Sequence, residues 1–251
     1  MELECFQFRY GADNYGVLLH DPRENLTTAI DAGDSYSYSS ALKANGWTLD
    51  QIWITHHHAD HTDGLSELKK ETGALVIGPK NVTGVEKGVS EGDVIKFGQC
   101  EVEIIEKPGH TLDMINYYIP SEKLIFTGDT LFVMGCGRLF EGSPEQMFRS
   151  ICKIMAFPAD TVLYCSHEYT LANSKFALSV DPNNSDLIKR AKKLQDIISL
   201  GNHTVPTTIG LEAKTNPFCR SDDLKIRRSL GMINESNEDV FTKLRQLKDI
   251  F

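Results

Sequence analysis

Apolar and polar positions follow two different patterns along this chain, and the change falls near Tyr169. Before that point, short strand-like runs interleave with segments of helical period. Residues 5–8, 16–20 and 28–31 read as strands, and 37–45 as a short helix stopped by Gly46, which suits a left-handed C′ position. The run QIWIT at 51–55 is β-branched and aromatic and reads as a buried strand. A helix over 63–71 follows, with Leu65 and Leu68 three apart on one face. Strands are expected over 74–77, 93–97, 101–106, 115–119 and 124–127, several with near alternation. Pro144 opens a helix over 145–155, where its missing N–H costs nothing. TVLYC at 161–165 is a further buried strand. Beyond Tyr169 strand signals nearly vanish: 174–179, 185–199 and 238–248 look helical, with a turn over 181–184 and Ser185 as the expected cap. The expectation is a mixed α/β catalytic domain over residues 1–169 and a helical substrate-binding domain over 170–251.

Composition narrows the class. With 251 residues, 41% hydrophobic and 24% charged, the chain is an ordinary globular sequence, so disorder and low-complexity scaffolds are excluded. The net charge of −9 argues against a nucleic-acid partner, because phosphate affinity comes from clustered Lys and Arg. No apolar run approaches the roughly 18 residues that a membrane span requires, so no membrane association is expected. The opening Met1-Glu2-Leu3-Glu4-Cys5 lacks a basic start and an apolar stretch, so no signal peptide is read. Six scattered cysteines without a C-x-x-C pair fit reduced thiols and a cytoplasmic location. Cys136, between two glycines, is the one cysteine to watch for redox or nucleophilic chemistry; packing is the expected role, as free Cys is among the most buried residue types.

The chemistry is concentrated at strand ends. Thr55-His56-His57-His58-Ala59-Asp60-His61 stands directly after QIWIT. Imidazole and carboxylate are good ligands for borderline metals such as zinc. On an extended loop His56 and His58 point to one side and His57 away from them. Three other strands end in a potential ligand: Pro108-Gly109-His110-Thr111, Thr127-Gly128-Asp129-Thr130 and Ser166-His167-Glu168. Together they supply His56, His58, Asp60, His61, His110, Asp129 and His167, leaving His20, His57 and His203 as bystanders. The close spacing favours two neighbouring metal positions over one.

T-H-x-H-x-D-H, the later G-H-T and G-D-T, and the final His resemble the metallo-β-lactamase superfamily pattern. Within it the chain is most similar to the glyoxalase II, or hydroxyacylglutathione hydrolase, family. The resemblance spans nearly the whole chain. It includes Asp13-Asn14-Tyr15, Gly135-Cys136-Gly137-Arg138-Leu139-Phe140-Glu141-Gly142, His167-Glu168-Tyr169-Thr170, Asn216-Pro217-Phe218 and the tail Leu244-Arg245-Gln246-Leu247-Lys248-Asp249-Ile250-Phe251.

The resemblance implies an αββα sandwich with a small C-terminal helical domain. It implies two divalent metal ions per chain, zinc first, with iron or manganese as alternatives. His56, His58 and His110 would hold one ion, Asp60, His61 and His167 the other, and Asp129 would bridge them beside a shared hydroxide. Asp60 and Asp129 are thereby implied as catalytic. Arg138, Phe140, Tyr169, Arg245 and Lys248 would contact a glutathione conjugate. Phe140 stands where tyrosine is common, and Ala32 where proline is common; neither departure removes a ligand. The implied reaction is hydrolysis of S-2-hydroxyacylglutathione, typically S-D-lactoylglutathione, to glutathione and D-lactate, the second step of methylglyoxal detoxification, by a monomer acting on a small molecule. A glutathione persulfide dioxygenase and a two-metal phosphodiesterase use the same scaffold. The full ligand set opposes the first, and the acidic charge opposes the second, as it does a processing ribonuclease. A metal-binding module without activity would show gaps among the ligands, and there are none.

Overall fold

A computed structural model describes residues 3–251. Residues 1 and 2, on which the reading of the N-terminus partly rests, lie outside the described residues. The chain forms two compact units: one runs to Glu106 and resumes over Asp113–Gly128, and the other comprises Lys107–Leu112 and Asp129–Phe251.

In the first unit, β1 (Glu4–Tyr10), β2 (Asn14–Asp21) and β3 (Leu26–Ile30) form an antiparallel meander. Then β4 (Gln51–Trp53), β5 (Leu75–Pro79) and β6 (Lys87–Val89) join in parallel, in the order β1-β2-β3-β4-β5-β6. The crossovers are α1 (Ser35–Asn45) and the pair α2 (Ala59–Thr62) and α3 (Leu65–Thr72). The helix expected over 63–71 is α3, which starts two residues later because the Gly64 N–H turns to Ala32 O and sets it apart from α2. Gly46 caps α1 at φ 69°, the left-handed geometry its position implied.

β7 (Val94–Phe97), β8 (Cys100–Glu106), β9 (Ile115–Ile119) and β10 (Leu124–Gly128) make a second antiparallel set. In β8 the apolar Cys100, Val102 and Ile104 are buried and alternate with exposed Glu101 and Glu103, as a strand packed on one face requires. Helices α1 and α3 cover one face of the first sheet through Tyr38, Leu42, Leu65 and Leu68 on Leu18, Ile52 and Val76. Trp53 takes the other face, against Phe97 at 5.4 Å and Tyr117 at 5.1 Å, and so ties the two strand sets together.

The second unit opens with the short hairpin β11 (Leu131–Phe132) and β12 (Gly135–Cys136), then α4 (Pro144–Met155), which Ser143 and Gln146 start as a capping box. β13 (Val162–Cys165) pairs with β14 (Thr207–Thr208). The helices are α5 (Thr170–Val180), α6 (Ser185–Ser199), α7 (Ile209–Thr215), α8 (Leu224–Leu230) and α9 (Asn237–Asp249). Phe176, Phe218 and Phe241 form an aromatic core among them. Asn184, not Ser185, caps α6: its side chain accepts the Asp186 and Leu187 N–H groups, and Ser185 is already helical. β6, β11, β12, β14, α7 and α8 had escaped the sequence reading because runs of two to seven residues carry too little periodicity. Among the described residues, no helix is long and apolar enough to cross a membrane.

Candidate functional site

In the first unit four donors leave β4 on one loop. The His56 ring lies 4.7 Å from that of His58 and 4.1 Å from that of His61. Asp31, at the end of β3, organises them. Its buried carboxylate accepts the Thr55 N–H (2.8 Å) and meets His61 Nδ1 (2.8 Å), while Thr55 Oγ1 lies 3.0 Å from His56 Nδ1. With Nδ1 engaged, each ring presents Nε2 as its ligand atom, the arrangement usual for metal-binding histidine. Asp60 Oδ2 lies 3.4 Å from His61 Nε2 and accepts the Asn14 amide at 2.9 Å, and Tyr10 OH donates to its carbonyl. A Cβ on Gly33 would stand 1.9 Å from Asp60 O, so glycine is required where the two loops touch. The neighbouring Ala32 N–H donates to His61 O at 2.8 Å, a bond that a proline could not make. His57 turns to Asp113, with Nδ1 at 2.9 Å, and Asn81 also donates to that carboxylate. His20 packs flat on Trp47, 4.3 Å away.

In the second unit three donors from distant segments meet. Asp129 Oδ2 lies 3.4 Å from His110 Nε2 and 3.3 Å from His167 Nε2, and all three side chains are buried. His110 Nδ1 donates to Arg138 O at 2.7 Å, again leaving Nε2 toward the carboxylate. Tyr169 stacks on His167 at 4.8 Å with an angle of 3°, fixing that ring. Gly137 passes so close that a Cβ would stand 2.0 Å from Asp129 O.

A cavity of about 310 Å³ opens beside these donors. Arg138, Arg245 and Lys248 give it a cationic side, and Phe132, Phe140 and Tyr169 an aromatic one. Arg245 is buried, its Nη1 donating to Cys136 O at 2.9 Å, with the guanidinium 5.3 Å over the Phe218 ring. It is thus not the solvated face of a terminal helix. Lys248 sits between the Phe176 and Phe251 rings, 5.7 Å from each. Burial, helped by the nearby Arg245 charge, holds its amine below the ordinary lysine range. Burial likewise pushes the Cys136 thiol up, away from the thiolate form that nucleophilic chemistry needs. Phe140 meets His110 edge-on at 5.2 Å and is otherwise largely exposed.

The model of the metallo-β-lactamase superfamily matches residues 24–167, and that of the hydroxyacylglutathione hydrolase C-terminus matches residues 168–251. The hydroxyacylglutathione hydrolase of Brucella ovis is 49% identical over 99% of this chain and 98% of its own length; that of Brucella canis is 49% identical over 99% and 97%. The chain belongs to the hydroxyacylglutathione hydrolase family. Among solved structures, ETHE1 from Myxococcus xanthus (TM-score 0.69, 24% identity, 98% of this chain and 90% of that one) shares the fold. So does a metallo-β-lactamase from Staphylococcus aureus (TM-score 0.66, 21% identity, 98% and 71%). As a member of the hydroxyacylglutathione hydrolase family, the chain is a hydrolase that uses divalent metal, with the αββα metallo-β-lactamase fold and a helical C-terminal region. Three residues that serve the donors were given no role by the sequence reading, although Asn14 stands in one of its motifs: Asp31, Asn14 and Tyr10. Asp31 also ends a strand in a carboxylate, the signal that picked out Asp129, and could have been found by it.

Proposed function

We propose that the chain hydrolyses the thioester of S-2-hydroxyacylglutathione, typically S-D-lactoylglutathione, to glutathione and D-lactate. The observation that carries this reading is the second unit's pairing of a buried carboxylate shared by two imidazoles with a cavity whose side is cationic. We take His56, His58 and His110 as holders of one metal ion, Asp60, His61 and His167 of the other, and Asp129 as the bridge. All are nitrogen or carboxylate donors suited to zinc, with iron or manganese as alternatives. The buried donors with anchored Nδ1 atoms fit such ions. When bound, the ions supply Lewis acidity, lowering the pKa of water and polarising a carbonyl.

The chain's own residues then divide the work. His61 is held in one orientation by Asp31, and Asp60 by Asn14, so neither must reorganise during the reaction. Arg138, Arg245 and Lys248 bind glutathione carboxylates, Tyr169 contacts the peptide part, and Phe140 offers an apolar flank. Water adds at the thioester carbonyl carbon, the C–S bond breaks, and the sulfur leaves as a thiolate. A thiolate is a good leaving group and needs no strong acid. The functional division falls between residues 169 and 170, with the chain acting as a cytoplasmic monomer on a small molecule.

The test is a panel of glutathione thioesters, glutathione persulfide and a phosphodiester, run on protein of measured metal content. Thioester hydrolysis with near two metal ions per chain is expected. Oxygen consumption on the persulfide, or turnover of the phosphodiester alone, would replace this reading with one of the rival chemistries.

A further inference from the structure

The tail motif R-x-x-K-D-x-F contains one charged residue to which the reaction gives no task. Asp249 is the last residue of α9. A carboxylate there faces the negative end of the helix dipole, where a cation is favoured and an anion is not. It is held by two guanidinium groups: Arg245 Nη2 at 2.9 Å and Arg138 Nε at 3.5 Å. The two arginines differ. Arg245 is buried and fixed from elsewhere, by Cys136 O, Gly137 O and the Phe218 ring. Its Nε is buried and makes no hydrogen bond of its own. Arg138 is 58% exposed, with Asp249 its one ion-pair partner among the described residues. Arg138, Arg245 and Lys248 line the same cavity, and Asp249 stands beside it as a carboxylate already paired to two of the three.

We propose that Asp249 is a specificity-determining residue, an internal carboxylate that holds Arg138 when no ligand is bound and yields it to the carboxylate of an incoming ligand. This rests on the glutathione thioester reading and names how that site selects its anion. Exchange of one carboxylate for another leaves Arg138 paired throughout, so the gain on binding is small for a weak or diffuse anion. Only a ligand that also engages Arg245 or Lys248 recovers more than Asp249 gives up. Three cations without the internal acid would accept small anions indiscriminately.

The test is Asp249→Asn, which keeps the shape and removes the charge, with Asp249→Glu as the charge-retaining control and melting temperature as the check on folding. Exposed ion pairs are worth a few-fold in an equilibrium constant. The KM for S-D-lactoylglutathione should therefore fall about two- to fivefold in Asp249→Asn. Inhibition by glutarate, a dicarboxylate with no thioester, should tighten at least as much, so discrimination narrows. Asp249→Glu should stay near the parent. In an Arg138→Ala background, Asp249→Asn should move both values less than it does in the parent, because only the Arg245 pair is then released; equal shifts in the two backgrounds would take Arg138 out of the exchange. A raised KM in Asp249→Asn would make the acid an anchor rather than a competitor and overturn the proposal. An unchanged KM and unchanged glutarate inhibition would overturn it as well. If the parent hydrolyses no glutathione thioester, the functional reading fails. Glutarate binding by calorimetry then still decides the role of Asp249: tighter binding to Asp249→Asn supports it, and equal binding refutes it.

Discussion

On the loop after β4 in the first unit, nearly every anchor is spent on holding a donor still. Asp31 takes the Thr55 N–H and His61 Nδ1, Asn14 takes Asp60, and Ala32 takes the His61 carbonyl. In the cavity of the second unit, Arg245 is fixed as firmly, yet Arg138 is 58% exposed and Lys248 lies between two rings. The first region resembles a template for ions, whose geometry tolerates little movement. The second resembles a receptor for a flexible molecule, which binds through charges that can adjust. Rigid support at one place and adjustable charge at the other predict separable losses: metal content and kcat in the first case, KM in the second.

The largest effect should follow Asp129→Ala. Loss of a carboxylate shared by His110 and His167 should take metal content well below two ions per chain. Turnover should drop by more than about a hundredfold, beyond the range for outer residues that support metal ligands. Two retained metals with normal turnover would remove Asp129 from the bridging position. Asp31→Ala comes next and tests the first region alone. It leaves the Thr55 N–H and the His61 ring without their buried acceptor, so metal affinity should weaken about 10- to 100-fold. The KM of the metal-saturated enzyme should hardly move; a change confined to KM would erase the distinction between the regions.

The opposite signature is expected of the double variant Arg245→Ala, Lys248→Ala. Each charge-assisted hydrogen bond is worth about 1.5–3 kcal/mol, so KM for the glutathione thioester should rise by roughly one to two decades per contact, with metal content intact. A thioester lacking glutathione's carboxylates should be nearly indifferent to the change. The same region should respond to alkali. Lys248 carries its charge only below its lowered pKa, so KM should climb with rising pH before the ordinary lysine range is reached. Lys248→Arg should remove that climb. The smallest effect belongs to His57→Ala, which sits between two donors but pairs with Asp113. Activity should stay within a few-fold, whereas His58→Ala should lose most of it; equal damage would place His57 among the donors.

The two regions also differed in how far the sequence revealed them. The donor loop is contiguous, and its order of strand, ligands and helix is local, so His56, His58, Asp60 and His61 could be read in a row. Its brace carries the same mark, a carboxylate just after a strand, but Asp31 lies 30 residues before His61 and no spacing joins the two. The cavity of the second unit draws on residues more than 100 positions apart, as in the bond from Arg245 to Cys136 O. Spacing of Arg245 and Lys248 suggested two similar cations on one helix face. Burial instead makes Arg245 a fixed part of the wall and leaves Lys248 as the titrating one. Elements with strong alternation, such as β8, were legible, while two-residue strands such as β11 and β12 are defined by pairing and leave no periodic trace.

Cys136 lines the cavity where a glutathione thioester is proposed to bind. Had its sulfur been ionised, it could have exchanged with the substrate, taking the acyl group onto the protein and releasing glutathione without hydrolysis. Burial outweighs the nearby positive charges of Arg245 and Lys248 and keeps the proton on the sulfur. The pocket can therefore keep a thiol beside reactive thioesters without acylating itself.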